Sequence, residues 1–233
     1  MSLQSLRQDI QKEANPTKAR LLQRFFKTGK GEYAEGDVFL GIMVPVTRGL
    51  VKKYSELSLS ELEELIHSKY HEERLLALLI LVNRFFKHPD KREEIYNFYL
   101  SNTHYINNWD LVDLSAPNII GNYLLNKNKS VLYKLIKSNN LWERRISILA
   151  TFWFIKNGRF DESLAIAELL LKDKHDLIHK AVGWMLREIG KRDINILKKF
   201  LKKHYQIMPR TMLRYSIEKF PEKERKLYLK NRI

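Results

Sequence analysis

Cysteine is absent from the 233 residues. That excludes disulfide cross-links, thiolate nucleophiles and cysteine-ligated metals, and it fits a reducing compartment. Long apolar runs are missing too. The longest uninterrupted one, Leu75 to Val82, falls far short of the roughly 20 residues a membrane span needs. No N-terminal secretory pattern is visible, so the expectation is a soluble, cytoplasmic protein with no membrane partner. Glycine is scarce and gathers in one stretch, Thr28 to Asp37, which reads as a loop. That loop lacks the GxxxxGK[ST] pattern, which excludes a P-loop nucleotide site. Acidic residues are in deficit: 27 Asp/Glu face 42 Lys/Arg, a net charge of +15. Residues 191–233 hold 14 Lys/Arg against 4 Asp/Glu, so +10 of the +15 lies there. An excess of this size calls for an acidic partner, nucleic acid foremost, although charge runs also occur as plain solvated faces.

What is present is helical periodicity, with no convincing strand or hairpin. The first helices are expected at Ser5 to Ala14, Pro16 to Lys27 and Pro45 to Tyr54, the last with proline at its favoured first position. Ser58 with Glu61 forms a capping box, and Asp90 with Glu93 gives a similar signal. Later spans are 59–67, 71–87, 90–101, 109–124, 130–138, 141–156, 161–173, 176–191, 193–205, 209–219 and 221–230. Comparable second-helix positions are Arg74, Asp113, Arg145, Lys180 and Arg210, separated by 39, 32, 35 and 30 residues. This is the period of an α-solenoid built from helix pairs. The expected architecture is therefore all-α: one domain over 1–233, a stack of degenerate HEAT-like pairs. Its row of inner residues, cationic except for Asp113, would line a concave basic groove.

The central stretch Asn107 to Gly121 breaks a local rule. Asn108 suits an N-cap, and Val112, Ala116, Ile119, Ile120 and Tyr123 form one buried stripe. Asp110 sits in the first turn, where a carboxylate complements the helix dipole. Asp113 lies a full turn further in, on the face of Trp109 and among apolar neighbours. Pro117 has no N–H for the carbonyl of Asp113, so the helix should loosen or kink there. A carboxylate beside a tryptophan on a disturbed helix is a candidate functional group. A structural pairing of Asp113 with Arg145 is the plain alternative.

All four tryptophans fall between 109 and 184. Trp142 and Trp153 share a stripe with Ile146, Leu149 and Ala150 and read as core. Trp184 faces away from Ile178, Ala181, Val182, Met185 and Ile189 and shares its side with Lys180 and Arg187. Two aromatic faces, a carboxylate and several cations suit a positively charged base on a phosphate backbone. Aromatic faces attract cations, a carboxylate stabilises positive charge developing on a sugar, and Arg and Lys hold phosphates. His175 and His179, spaced i, i+4, are half of a metal site, but no third ligand accompanies them at readable spacing.

The chain resembles the AlkD-type family of DNA alkylation repair glycosylases, which are HEAT-like repeat proteins. The likeness is carried by Asn108-Trp109-Asp110-Leu111-Val112-Asp113, by Leu141-Trp142-Glu143-Arg144-Arg145 and by Lys180 to Glu188. The loop followed by Phe39-Leu40-Gly41-Ile42 and Val44-Pro45, and the stretch Met208 to Tyr215, add to it. The resemblance covers nearly the whole chain. It implies monofunctional hydrolysis of N3- and N7-alkylated purines in double-stranded DNA, leaving an abasic site, with no metal or cofactor. It makes Asp113 the catalytic carboxylate, Trp109 and Trp184 contacts of the lesion-bearing nucleotide, and Arg145 a support of the same site. Arg187 would hold backbone. Lys180, Arg74, Arg210, Arg214 and Phe25 complete the expected DNA contacts, and a monomer is expected. Some members place a Tyr at Phe25, a Gln at Met43 and a Lys at Trp153, departures that bear on substrate preference and strand contacts. The alternative function is DNA binding without catalysis, on damaged or branched DNA. A scaffold for an acidic protein is a third, which leaves Trp109, Asp113 and Trp184 without explanation.

Overall fold

The computed structural model describes residues 2–231; Met1, Arg232 and Ile233 lie outside the described residues. Among these, secondary structure is helical throughout, apart from one isolated parallel bridge between Val38 and Tyr70. The helix-pair, all-α architecture is that of a HEAT-like α-solenoid. By contact density the chain divides into two compact units, Met1–Ser115 and Ala116–Ile233.

The first unit opens with α1 (Leu3–Glu13) and α2 (Pro16–Phe25), capped by Ser2 and Asn15. After the loop come α3 (Val44–Lys53), α4 (Leu59–Ile66), α5 (His71–Lys87), α6 (Arg92–Ser101) and α7 (Trp109–Ala116). The Ser58–Glu61 capping box forms: the Glu61 N–H donates to Ser58 Oγ at 3.2 Å and the Ser58 N–H to Glu61 Oε2 at 2.7 Å. The signal at Asp90 does not. Pro89 starts a 3-10 turn over Pro89–Lys91, which takes Asp90 inside it, and α6 begins at Arg92 without a side-chain cap. In α5 every residue from His71 to Leu78 is buried, so the helix supplies a charged head and an apolar body to the interior.

The expected helix over 109–124 arrives in three pieces. After α7 a π-helical turn spans Pro117–Gly121, followed by α8 (Asn122–Leu124). Proline has no N–H for the usual bond and its ring crowds the preceding turn, so the register widens there. The second unit continues with α9 (Ser130–Ile136), α10 (Leu141–Lys156), α11 (Asp161–Leu169), α12 (Asp176–Gly190), α13 (Ile194–His204), α14 (Arg210–Ser216) and α15 (Glu222–Leu229). Helix α10 packs on α9, α11 and α12, while α12 packs on α13 and α14. The second helices of successive pairs are thus neighbours. Two glycines permit this closeness. A Cβ on Gly121 would sit 2.1 Å from the Ala150 carbonyl oxygen, and one on Gly183 would sit 2.5 Å from the Tyr215 Cβ.

Candidate functional site

In the first unit, side-chain tethers fix the start of α7. Asn108 is fully buried; its Oδ1 accepts from the Trp109 N–H at 2.8 Å and its Nδ2 donates to Asp37 at 3.2 Å. Asp110 accepts from the Leu111 N–H at 2.9 Å and, through its other oxygen, from His71 Nε2 at 2.9 Å. The Nδ1 of His71 meets Asp37 at 3.1 Å. Arg74 closes the group, donating to Asp37 and to the Ser68 carbonyl.

His71 is therefore flanked by two carboxylates. Ionised carboxylates only accept, so both ring nitrogens carry hydrogen and the ring is an imidazolium. Burial opposes that charge, but Asp110 and Asp37 outweigh it and raise the pKa to about 9. Burial likewise resists ionisation of Asp37, yet His71, Arg74 and Asn108 hold its carboxyl below the usual range.

Aromatic rings are stacked on this charge. Phe39 lies parallel to His71 at 4.4 Å, Phe26 stacks on Phe39 at 5.0 Å, and Trp109 stacks on Phe26 at 5.1 Å. Phe25, 64% exposed, meets the edge of Trp109 at 6.0 Å. Asp113 follows Trp109 by one turn and, like it, is half-buried. Beneath it Tyr99 bonds Ser115 at 2.9 Å. Burial raises the phenol's pKa, Ser115 opposes that, and the Asp113 charge adds to the rise.

The loop is tied to the same place. Glu72 accepts from the backbone N–H groups of Leu40, Gly41 and Ile42, the shortest at 2.8 Å, and the His71 N–H donates to the Val38 carbonyl. Gly41 has φ +84, and a Cβ there would lie 2.2 Å from the Asn15 carbonyl oxygen, so only glycine fits. Earlier in the loop, Glu32 and Glu35 accept from the N–H groups of Gly29 and Gly31.

In the second unit, Arg145 is 5% exposed and donates to the Leu177 carbonyl at 2.6 Å. Trp184 is half-buried and lies 5.7 Å from Phe152. Lys180 pairs with Asp176 at 2.7 Å, and Arg187 pairs with Glu218. Arg210 donates to the Leu229 carbonyl at 2.6 Å, and Arg214 is exposed.

Comparison with known proteins then decides the family. A sequence model of the DNA alkylation repair enzyme family matches residues 6–220. The chain belongs to that family. A solved structure described as a predicted DNA alkylation repair enzyme from Enterococcus faecalis superposes with a TM-score of 0.68 at 16% identity. The match covers 90% of this chain and 98% of that one, and it shows the shared fold. Comparison with curated proteins gave no significant match.

As a DNA alkylation repair enzyme, the chain has DNA as its substrate class, and the residues named from sequence can be sorted by placement. Trp109 and Asp113 share one accessible face of α7, with Phe25 at its rim. Arg74 does not join an exposed row of cations: it is 4% exposed and holds Asp37. Its place at the buried head of α5 explains this, because the helix turns that charge inward. Trp142 is core, 6% exposed. Trp153, also expected in the core, is only half-buried: the stripe carries it to the helix edge, where Lys156 lies 5.4 Å over its ring. Gly183 serves the packing of α12 on α14. His175 caps α12 by accepting from the Leu177 N–H, and His179 bonds the Asp173 carbonyl. Among the described residues no three His, Cys, Asp or Glu side chains gather as a metal site, and no helix is long and apolar enough to cross a membrane.

The neighbours of α7 that sequence reading did not single out are His71, Asp37, Glu72 and Phe26. One signal was available. His71-Glu72-Glu73-Arg74 heads the longest apolar run in the chain, and ionisable residues on a helix with no polar face must find partners inside.

Proposed function

We propose that this enzyme hydrolyses the N-glycosidic bond of N3- or N7-alkylated purines in duplex DNA, leaving an abasic site. The observation that supports this best is the pairing of Trp109 with Asp113 on one half-buried face of α7, whose first turn is held by His71 and Asn108. Alkylation at N3 or N7 makes the purine cationic and a ready leaving group. As its bond to the sugar lengthens, positive charge grows on the sugar, and the Asp113 carboxylate stabilises it and orients the attacking water. Trp109 offers a π face to the cationic base, and Trp184 is proposed to offer a second. Arg187, Lys180, Arg210 and Arg214 are proposed to hold phosphates, which fix register without reading sequence. The hydrolysis needs water alone as co-reactant.

The deciding experiment is release of free base from duplex DNA carrying 7-methylguanine, with the wild type beside Asp113→Asn. Release by the wild type, lost in the variant with DNA binding intact, is expected. No release by either, with salt-sensitive binding retained, would replace catalysis by DNA binding alone.

A further inference from the structure

We propose that His71, through its hydrogen bond to Asp110, is a positioning residue that fixes the first turn of α7 and with it the attitude of Trp109 and Asp113 toward the substrate. The inference rests on the glycosylase reading above and adds a residue that acts without touching DNA. Helix α7 is eight residues long and runs into a π-helical turn. A helix so short does not hold its own direction in water, so its tethers set it. Two act at its start, Asn108 to Asp37 and Asp110 to His71, and both converge on Asp37, which His71 also bonds. Trp109 lies between the tethered residues and is pressed on Phe26. Asp113 follows on the same face, so any rotation of the first turn moves both.

The charged groups facing His71 are Asp37 from the loop and Asp110 from α7, with Arg74 on the far side of Asp37. Two anions and two cations thus close a neutral group almost without solvent. Apolar residues of equal volume are often as stabilising as such a group, whereas hydrogen-bonded charges impose direction. His71 is 1% exposed, Phe39 stacks on its ring with Phe26 alongside, and both ring nitrogens are bonded to carboxylates, which leaves it no route to substrate; it acts only through Asp110 and Asp37.

The test is single-turnover release of 7-methylguanine, with the dissociation constant for the same duplex, for wild type, Asp110→Asn, His71→Gln and the double variant. Each single change should slow release by about tenfold to a hundredfold, the scale of a misplacement near 1 Å, while binding changes by less than about threefold. The double variant should be no slower than the worse single one, because both act through one bond. Release within about threefold of wild type in both single variants, losses that track binding, or losses that multiply in the double variant would overturn the proposal. Should His71→Gln fail to fold, Asp110→Asn decides alone, since the single amide oxygen cannot serve both the His71 and the Leu111 N–H groups, which disrupts the tether, while Asp37 keeps its bonds to His71 and Arg74. A second readout is independent of catalysis: the indole N–H resonance of Trp109, assigned with Trp109→Phe. It should shift in Asp110→Asn while that of Trp142 stays; an unmoved Trp109 resonance would overturn the positioning role. If the wild type releases no base, the glycosylase reading falls, and this resonance still judges the tether.

Discussion

The charge on His71 makes a prediction about stability that can be worked through. The ring is 1% exposed, and burial alone would favour its neutral form. Asp110 and Asp37 reverse that preference and raise the pKa from 6.5 to about 9. A rise of that size is worth roughly 3 kcal/mol of differential stabilisation of the protonated ring. The unfolded imidazole loses its proton above about 6.5, whereas the folded one keeps it to about 9. The contribution is therefore fully present below pH 6.5 and fades as pH rises through 9. Glutamine at this position can still donate to one carboxylate but carries no charge. Urea unfolding of wild type and His71→Gln, followed by far-UV circular dichroism, should differ by roughly 3 kcal/mol near pH 6 and converge near pH 10. Lysines and tyrosines that titrate near the upper limit do so in both proteins, so the difference isolates His71. A gap that stays constant with pH would mean that folding leaves the His71 pKa at its unfolded value, and the reasoning would be wrong.

Gly183→Ala should lower stability by about 1–3 kcal/mol through overpacking, because the new Cβ meets the Met212 carbonyl oxygen at 2.6 Å. An unchanged melting temperature would place α12 further from α14 than the structure does. Glu72→Gln should loosen the end of the loop, since an amide replaces a carboxylate that accepts three backbone N–H groups. Faster hydrogen exchange at Leu40, Gly41 and Ile42 is expected, and unchanged exchange would refute the clamp. Arg214→Ala should weaken DNA binding across sequences and reduce the salt slope by about 1. A slope equal to that of wild type would put Arg214 off the backbone.

The helices were legible because their signals are local. Ser58 with Glu61, Pro16, Pro45 and the apolar spacing of α5, α10 and α12 each fix an element from a few neighbouring residues. Pro117 was legible for the same reason, and the π-helical turn follows from its missing N–H. Tertiary partnership was not. Asp110 reads as a first-turn carboxylate suited to the helix dipole, and nothing within its own helix announces His71, 39 positions earlier. Arg74 has the spacing of a groove residue, but burial, which depends on the whole unit, turns it to Asp37. Trp153 shows the converse, since a shared stripe does not say how far the packing extends around the helix.

Burial sorts the cations in a way that net charge cannot. Arg74 and Arg145 are interior and already donate to groups of the protein itself, so a phosphate would have to displace bonds made in a low dielectric. Arg187 is intermediate: its pair with Glu218 has one exposed partner, which a phosphate can replace at small cost because water screens such pairs. Arg214 is exposed, and Lys156 is exposed with its ammonium 4.6 Å over Phe152, one ring away from Trp184. Salt-dependent binding should therefore rest on the second group, and replacing Arg74 should act through the loop and α7 instead. The two effects are separable in one assay. A phosphate contact changes the dependence of affinity on salt, whereas a lost tether to Asp37 changes the rate of base release at a nearly constant salt slope.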